Sequence, residues 1–239
     1  MSKIAEKLKD VQANIAAACQ RTGRDVNDLT LVVVTKTATT ENIKDIISLG
    51  IRHFGENRVQ QLNQVTEEID QFLLENKENP EIPDSVNWHM IGHLQRNKVK
   101  TVLKMLSIVH SLDTLRLAEE INTAAGKLKI VPDVLLQVNC SGEPQKYGVP
   151  VGAAVHLAEQ IVTMPNLRLV GLMTMAPLTK NKDVVSACFR RGREIFEELR
   201  NERHIGKHFT KLSMGMSSDY EIAVEEGATI VRVGTALFT

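Results

Sequence analysis

The sequence lacks a surplus of either charge. Its 239 residues contain 29 Lys and Arg against 29 Asp and Glu, so the formal net charge is zero. A balanced chain creates no overall field that attracts nucleic acid or an anionic membrane, and any charged ligand has to be held by a local site. We therefore expect neither a nucleic-acid-binding nor a membrane-bound protein.

A cysteine framework and a long apolar segment are also missing. The three cysteines, Cys19, Cys140 and Cys188, are scattered, odd in number and form no CxxC pair. This usage is typical of a reducing compartment, where isolated cysteines are small apolar core residues. The first segment, MSKIAEKLKDVQANIAAACQ, mixes charge with apolar residues, unlike a signal peptide or a membrane span. The expected location is the cytoplasm.

Glycine-rich nucleotide fingerprints, sequence repeats and low-complexity tracts are absent as well. No GxGxxG follows the first predicted strand, and FGENRV and LSMGMS contain too few glycines for a dinucleotide-binding or P-loop motif. The polar stretch ENKENPEIPDS, with two prolines, predicts a long surface loop inside a domain rather than a linker. A single domain over residues 1–239 is therefore expected.

The chain does contain a regular alternation of strand-like and helix-like segments. After a first amphipathic helix, the apolar runs are TLVVVT, IRHFG, VNWHMIG, SIVHSL, DVLLQVN, LRLVGLMTM, FTKLSMG and TIVRVG. Between them lie segments with apolar residues at i, i+3 and i+4, such as TENIKDIISLG. This order predicts an α/β fold, a single (β/α)8 TIM-type barrel with an extra N-terminal helix. An open doubly wound sheet is the main alternative.

A lysine stands just after the first predicted strand. In such a barrel the chemistry sits at the carboxyl ends of the strands, and Lys36 follows the apolar run Leu29 to Val34. An inward-pointing Lys36 is in register with Val32 and Val34, which then fill the barrel interior. Partial burial would favour the neutral amine, a nucleophile able to form a Schiff base with an aldehyde. A solvated lysine at the strand end is the alternative.

The last two predicted strands carry an independent signal. One strand ends at Gly215, and Ser217 and Ser218 follow as the start of a helix, with Ser218 and Glu221 spaced as a capping box. Backbone amides and a serine hydroxyl there suit a phosphate, and the loops after strands seven and eight are the common phosphate site of this barrel. The alternative is that a serine merely caps the helix.

The final strand ends in a second group of this kind. After Arg232 the chain continues with Gly234, where the backbone can approach a ligand closely, and Thr235, whose hydroxyl can donate. Arg232 suits an anion or a ring nitrogen. A lysine on one side of the mouth and a phosphate site on the other describe a phosphorylated aldehyde, and pyridoxal 5′-phosphate (PLP) is the obvious one.

Six motifs resemble a known family across nearly the whole chain: VVVTKT, HFGENRVQQ, WHMIGHLQRNK, GLMTMAP, LSMGMSSDYEIAVEEG and VRVGTALF. In this order they are similar to the pyridoxal phosphate homeostasis protein family, whose members look like a stand-alone barrel domain of alanine racemase. The resemblance implies that PLP is the cofactor and that Lys36 forms the Schiff base. The other cofactor-binding residues that it implies are Asn57, Met216, Ser217, Arg232, Gly234 and Thr235.

Two features near the second and third predicted strands need separate interpretation. Asn57 opens a helix after Gly55, so its alternative role is that of a helix cap. The chain departs from the family pattern at His93, where other members often carry proline, which affects the conformation of the local loop. His89 and His93 are four residues apart, but they fall on a strand and beyond Gly92, so no metal site is expected.

The resemblance implies a binding protein rather than an established reaction. Its role would be intracellular vitamin B6 homeostasis, with supply of PLP to apoenzymes that depend on it. The alternatives are an amino-acid racemase or decarboxylase using PLP and, with less support, a lyase using Lys36. Racemases of this fold carry a second domain with a tyrosine base, whereas this sequence ends five residues after Gly234 and contains only Tyr147 and Tyr220. We expect a monomeric carrier without catalytic residues.

Overall fold

The computed structural model describes residues 2–239 and contains a closed parallel barrel. The strands are β1 (Thr30–Val34), β2 (His53–Glu56), β3 (Asn87–Met90), β4 (Leu106–Leu112), β5 (Asp133–Asn139), β6 (Val149–Pro150), β7 (Arg168–Met173), β8 (Lys211–Ser213) and β9 (Ile230–Val233). Within these residues, all except β6 form the eight-stranded barrel, and β6 pairs with the end of β5. The pairing of β1 with β9 closes the barrel. The predicted (β/α)8 fold is confirmed, and the open sheet is wrong.

Helices surround the barrel. They are α1 (Lys3–Arg21), α2 (Thr40–Ser48), α3 (Val59–Glu75), α4 (Val99–Val102), α5 (Leu115–Leu128), α6 (Ala154–Val162), α7 (Lys182–Asn201), α8 (Tyr220–Glu225) and α9 (Thr235–Phe238). The predicted extra helix is α1, which packs against α8 and α9. Asn14 of α1 donates to the hydroxyl of Tyr220 at 3.1 Å, and the Tyr220 side chain is buried.

The core has two layers, and the β1 sequence shows how they are filled. Val33 belongs to the large apolar cluster between strands and helices, against which Leu31 is partly buried. Val32 points the other way, since a Cβ on Gly55 of the neighbouring strand would lie 3.0 Å from a Val32 methyl group. A small cluster of Leu135, Val170 and Met173 is separate from the large one. The predicted alternation along β1 is therefore confirmed.

The remaining expectations on segments and cysteines can be located. Cys19 and Cys188 are buried free cysteines, as expected of core residues, and Cys140 is partly buried. The stretch from Glu75 to Ser85 connects α3 to β3 through mostly exposed turns, as predicted. Among residues 2–239, no helix combines the length and the apolar character that crossing a membrane requires.

Candidate functional site

An open cavity of about 900 Å³ lies at the carboxyl ends of the barrel strands. All seven residues that the sequence analysis names line it: Lys36, Asn57, Met216, Ser217, Arg232, Gly234 and Thr235. They come from the ends of β1, β2, β8 and β9, and the closure of the barrel between β1 and β9 brings the first and last of these segments together. The structure thus collects the predicted site residues around one space.

Lys36 occupies the first turn after β1. The preceding residue, Thr35, is fully buried and donates its backbone amide to the Gly55 carbonyl at 3.1 Å. Gln61 Nε2 donates to the Lys36 carbonyl at 3.3 Å. The Lys36 side chain itself is exposed, so the expectation of a partly buried amine is wrong. The reason is that β1 ends at Val34, and the lysine stands above the packed interior in the open mouth.

A buried carboxyl group beneath the mouth was missed by the sequence analysis. Glu56 at the end of β2 is fully buried, and burial raises the pKa of its carboxyl. It accepts a hydrogen bond from the Thr35 hydroxyl and one from the Asn57 amide, the latter at 3.3 Å. Glu56 therefore ties the Lys36 turn to the Asn57 turn. An acidic residue at the end of the strand-like run HFGE was the only available signal.

Asn57 lies in the turn between β2 and α3. Helix α3 begins at Val59 with Arg58 at its N-cap position, so the alternative role of Asn57 as a helix cap is wrong. Gly92 packs directly against it, because a Cβ on Gly92 would lie 2.3 Å from the Asn57 carbonyl oxygen. The close approach of the two turns holds Asn57 at the cavity wall.

Ser217, Gly234, Thr235 and Ala236 form a polar surface that we call the cradle. Ser217 Oγ accepts hydrogen bonds from the Gly234 amide at 3.1 Å and the Ala236 amide at 3.2 Å, which joins the turn after β8 to the end of β9. Within residues 2–239 the amides of Ser217, Ser218 and Thr235 donate to no protein acceptor. Free amides together with the Ser217 and Thr235 hydroxyls form a donor set suited to a phosphate.

The predicted capping box of Ser218 and Glu221 is wrong. Helix α8 begins at Tyr220 with Asp219 at its N-cap position, and the Asp219 carboxylate accepts from the Met216 amide at 2.6 Å. This bond closes the turn with the carboxylate directed away from the helix amides. Burial raises the pKa of Asp219. Because Asp219 closes the turn, the Ser217 hydroxyl is available to organise the cradle.

Arg232 is a buried cation at the cavity wall. It is 3% exposed, and its Nη1 and Nη2 donate to Ser213 Oγ at 2.5 Å and to the Thr174 carbonyl at 3.2 Å. Both acceptors are neutral. Burial lowers the pKa of the guanidinium to about 10, which leaves it charged at neutral pH. A buried charge without a carboxylate in contact favours an electron-rich ligand atom in the cavity.

Two aromatic rings on the cavity wall were not predicted as site residues. His93 and Tyr147 stack with 4.6 Å between ring centroids and 16° between ring planes, and both line the cavity. The Tyr147 carbonyl accepts from Gln137 Nε2 at 3.1 Å. Neither ring has a nearby partner in the sequence, so no periodic pattern signals the pair.

In the described part of the chain, no group of three His, Cys, Asp or Glu is arranged to hold a metal ion.

The chain resembles known proteins over its full length. Residues 7–239 match the family described as alanine racemase, N-terminal domain. Pyridoxal phosphate homeostasis proteins of Aquifex aeolicus and Pseudomonas aeruginosa are 41% and 38% identical to it, with 98% and 100% of this chain and 96% of each relative covered. The structure of PipY from Synechococcus elongatus PCC7942 with PLP bound is 32% identical and has a TM-score of 0.81, covering 99% of this chain and 100% of that one.

Proposed function

This chain belongs to the pyridoxal phosphate homeostasis protein family, and from that premise we propose that it holds PLP as a Schiff base on Lys36 and serves intracellular vitamin B6 homeostasis by supplying PLP. The observation that carries the proposal is the single cavity lined by Lys36, the cradle residues and Arg232. A solved relative with PLP bound, PipY, supports the assignment of the ligand.

The donor set of the cavity fits the parts of PLP. The free amides and hydroxyls of the cradle suit its phosphate. Gly234 lets the cradle pack closely on β1, because a Cβ there would lie 2.9 Å from the Val34 carbonyl oxygen. The Lys36 amine would add to the aldehyde carbon with loss of water, which is a reversible step. When bound, PLP supplies an aldehyde and an electron-accepting ring. We assign Met216 to the phosphate side and Asn57 to the wall beside the ring.

Arg232 favours storage of the cofactor over chemistry on amino acids. A guanidinium with a pKa of about 10 keeps its proton at neutral pH and faces the cavity from a buried position. Placed against the ring nitrogen, it would leave that nitrogen without a proton and the ring a poorer acceptor of electrons. This property suits a carrier that has to release its cargo unchanged.

The decisive experiment is an absorption spectrum of the purified protein with PLP, before and after borohydride. We expect a visible imine band that borohydride removes, and peptide mass spectrometry should then find the reduced pyridoxyl group on the Lys36 peptide. A reduced adduct on a different lysine would overturn the assignment of Lys36. Absence of any saturable PLP binding would overturn the proposed function itself.

The alternative is an amino-acid racemase or decarboxylase that uses PLP, and the position of Tyr147 in the cavity wall is the observation that favours it. Racemisation needs acid and base groups on both faces of the α-carbon. We expect no such turnover when the protein with PLP is incubated with L-alanine in heavy water. Formation of D-alanine with α-deuterium at about one per second or faster, lost in Lys36→Ala and Tyr147→Phe, would make this an enzyme.

We further propose that residues 1–239 form one domain, that the protein is a cytoplasmic monomer, and that PLP-dependent apoenzymes receive the cofactor. The continuous apolar cluster that joins helices from α1 to α9 supports one cooperative unit. Light scattering should give the mass of one chain, 26.6 kDa. If transfer is direct, the protein loaded with PLP should restore the activity of an inactive apoenzyme faster than free PLP at the same concentration does.

A further inference from the structure

Polar side chains from four barrel strands are hydrogen-bonded in series inside the barrel. His53 Nδ1 lies 3.0 Å from His89 Nε2. His89 Nδ1 lies 2.8 Å from His110 Nε2, and His110 Nδ1 lies 3.0 Å from Ser213 Oγ. We call these four residues the histidine chain. It begins at the first residue of β2 and ends at Ser213, the acceptor of the Arg232 Nη1 bond.

The guanidinium gives the histidine chain a direction. Arg232 can only donate, so Ser213 Oγ accepts from it and retains its own proton to donate. His110 Nδ1 is the acceptor within reach, which places the proton of His110 on Nε2. By the same reasoning His89 accepts at Nδ1 and carries its proton on Nε2, from which it donates to His53. Every hydrogen bond in the series then has its donor on the Arg232 side and its acceptor on the His53 side.

The opposite direction would leave a buried group unsatisfied. If His110 donated from Nδ1, Ser213 Oγ would accept two hydrogen bonds and its proton would have no acceptor among the described residues. Ser213 is fully buried, and an unpaired buried hydroxyl proton is costly. The first direction gives an acceptor to the Ser213 hydroxyl proton and to the Nε2 protons of His110 and His89.

The two central imidazoles are in the charge state that this arrangement requires. Burial lowers the pKa of His89 to about 3 and that of His110 well below its ordinary value. Both are neutral at pH 7, and a neutral imidazole donates from one nitrogen and accepts at the other. Neutral rings also add no like charge beside Arg232.

We infer that the histidine chain positions Arg232 for the ring of the cofactor, and that this hold extends through the barrel to His53. The inference rests on the proposed function, because Arg232 is assigned there to the ring of PLP. The four residues of the histidine chain are positioning residues, since none of them lines the cavity. Hydrogen bonds in series polarise one another, so each bond in the histidine chain strengthens the hydrogen bond that Ser213 Oγ accepts from the Arg232 guanidinium. His53 thereby becomes a remote site from which cofactor affinity can be changed.

The direction of the histidine chain can be tested without cofactor. Nitrogen-15 NMR of the apo-protein with labelled histidine separates protonated from unprotonated ring nitrogens. We expect His89 and His110 to carry their proton on Nε2 alone, and Arg232→Met to allow a mixture of both tautomers. Protons on Nδ1 in the wild-type protein would overturn the inference. Because PLP is absent, this result can be read even if the proposed function fails.

Variants along the histidine chain test its effect on the cofactor. We expect the PLP dissociation constant to rise about tenfold in Ser213→Ala, less in His110→Phe and His89→Phe, and about twofold in His53→Phe. The absorption maximum of bound PLP should move in the same order, which a purely structural role would not cause. His110→Asn, whose amide oxygen can still accept from Ser213, should fall between wild type and His110→Phe.

Leu135→Ala is the matched control, because Leu135 is fully buried and belongs to the small apolar cluster rather than to the histidine chain. It should lower the melting temperature and leave both the absorption maximum and the tautomers unchanged. Equal effects in all variants, or an absorption change in Leu135→Ala of the size seen in Ser213→Ala, would overturn the inference. If a phenylalanine variant fails to fold, the wild-type tautomers decide the question.

Discussion

The cradle and the histidine chain both reach the carboxyl end of β8, yet they are built in opposite ways. The cradle consists of amides and hydroxyls in turns at the open mouth, and several of its donors face the cavity without a protein acceptor. The histidine chain consists of side chains from four strands, and its central links are buried and fully paired. Water can satisfy an unpaired donor at the mouth, whereas the interior has to satisfy itself. Changes in the cradle should therefore affect the ligand first, and changes in the histidine chain should affect stability as well.

The largest expected effect concerns Lys36, the covalent attachment site, which belongs to neither the cradle nor the histidine chain. Lys36→Ala should abolish the imine band completely, because the amine that forms the bond is gone. The melting temperature should stay unchanged, since the Lys36 side chain is exposed and neither region depends on it. Equilibrium dialysis should still detect noncovalent PLP binding through the cradle. Lys180→Ala, which removes an amine from the neighbouring cavity, is the control and should keep its imine band.

The second effect is a loss of stability in acid to which the histidine chain contributes and the cradle does not. His89 is held neutral in the folded protein with a pKa of about 3, whereas in the unfolded chain it takes up a proton near pH 6.5. The unfolded state therefore binds more protons, and the free energy of unfolding falls from about pH 6.5 towards pH 3. Well below pH 6.5 each such histidine contributes a slope of about 1.4 kcal/mol per pH unit.

Urea unfolding at several pH values measures this slope. His89→Gln should make it shallower, because one of the buried histidines is removed. His156→Gln is the control, since His156 is exposed on α6 and its removal should leave the slope as it was. A slope unaffected by His89→Gln would break the proposed contrast between the two regions.

The third effect concerns the hydroxyls of the cradle. Ser217→Ala and Thr235→Val should each weaken PLP binding by about 1.5–3 kcal/mol, or roughly ten-fold to a hundred-fold, because each removes a hydrogen bond to a charged group. Ser217→Ala should be the more severe, since it also deprives the Gly234 and Ala236 amides of their acceptor. Fluorescence titration with PLP measures both constants.

Ser48→Ala on α2, remote from the mouth, serves as the control for these titrations. Dissociation constants unchanged in both cradle variants would mean that the phosphate binds elsewhere. If the cradle variants instead showed a large fall in melting temperature with unchanged affinity for PLP, the cradle would serve stability rather than ligand binding, the reverse of the expected contrast with the histidine chain.

The smallest expected effect tests how tightly the cradle is packed on β1. A Cβ on Gly234 would lie 2.9 Å from the Val34 carbonyl oxygen, so Gly234→Ala has to displace the backbone of one of the two strands. We expect this displacement to cost about 1–3 kcal/mol of stability and to weaken PLP binding, measured by titration, because the cradle moves with Gly234. Gly152→Ala is the matched control, because a Cβ there would meet nothing within 4 Å. Equal affinities in the two variants would show that β1 and β9 can separate at little cost.

Much of the fold could be predicted because strand and helix periods differ. The eight apolar runs correspond to the barrel strands, and the alternation of Val32 and Val33 between the two layers follows from the period of a strand. The errors concern local geometry. Ser218 and Glu221 have the spacing of a capping box, but Asp219 competes for the turn by accepting from Met216. Spacing cannot decide which of two nearby polar groups takes the bond.

The sequence by itself determined the barrel and seven of the residues that line its mouth, because parallel strands place their carboxyl ends together and each end carries its own local motif. Only the tertiary structure decided the exposure of Lys36, the stacking of His93 on Tyr147, and the histidine chain. His89 and His110 stand on separate strands without any shared motif. Their contact depends on the register of neighbouring strands and the closure of the barrel, and the period of two along a single strand specifies neither.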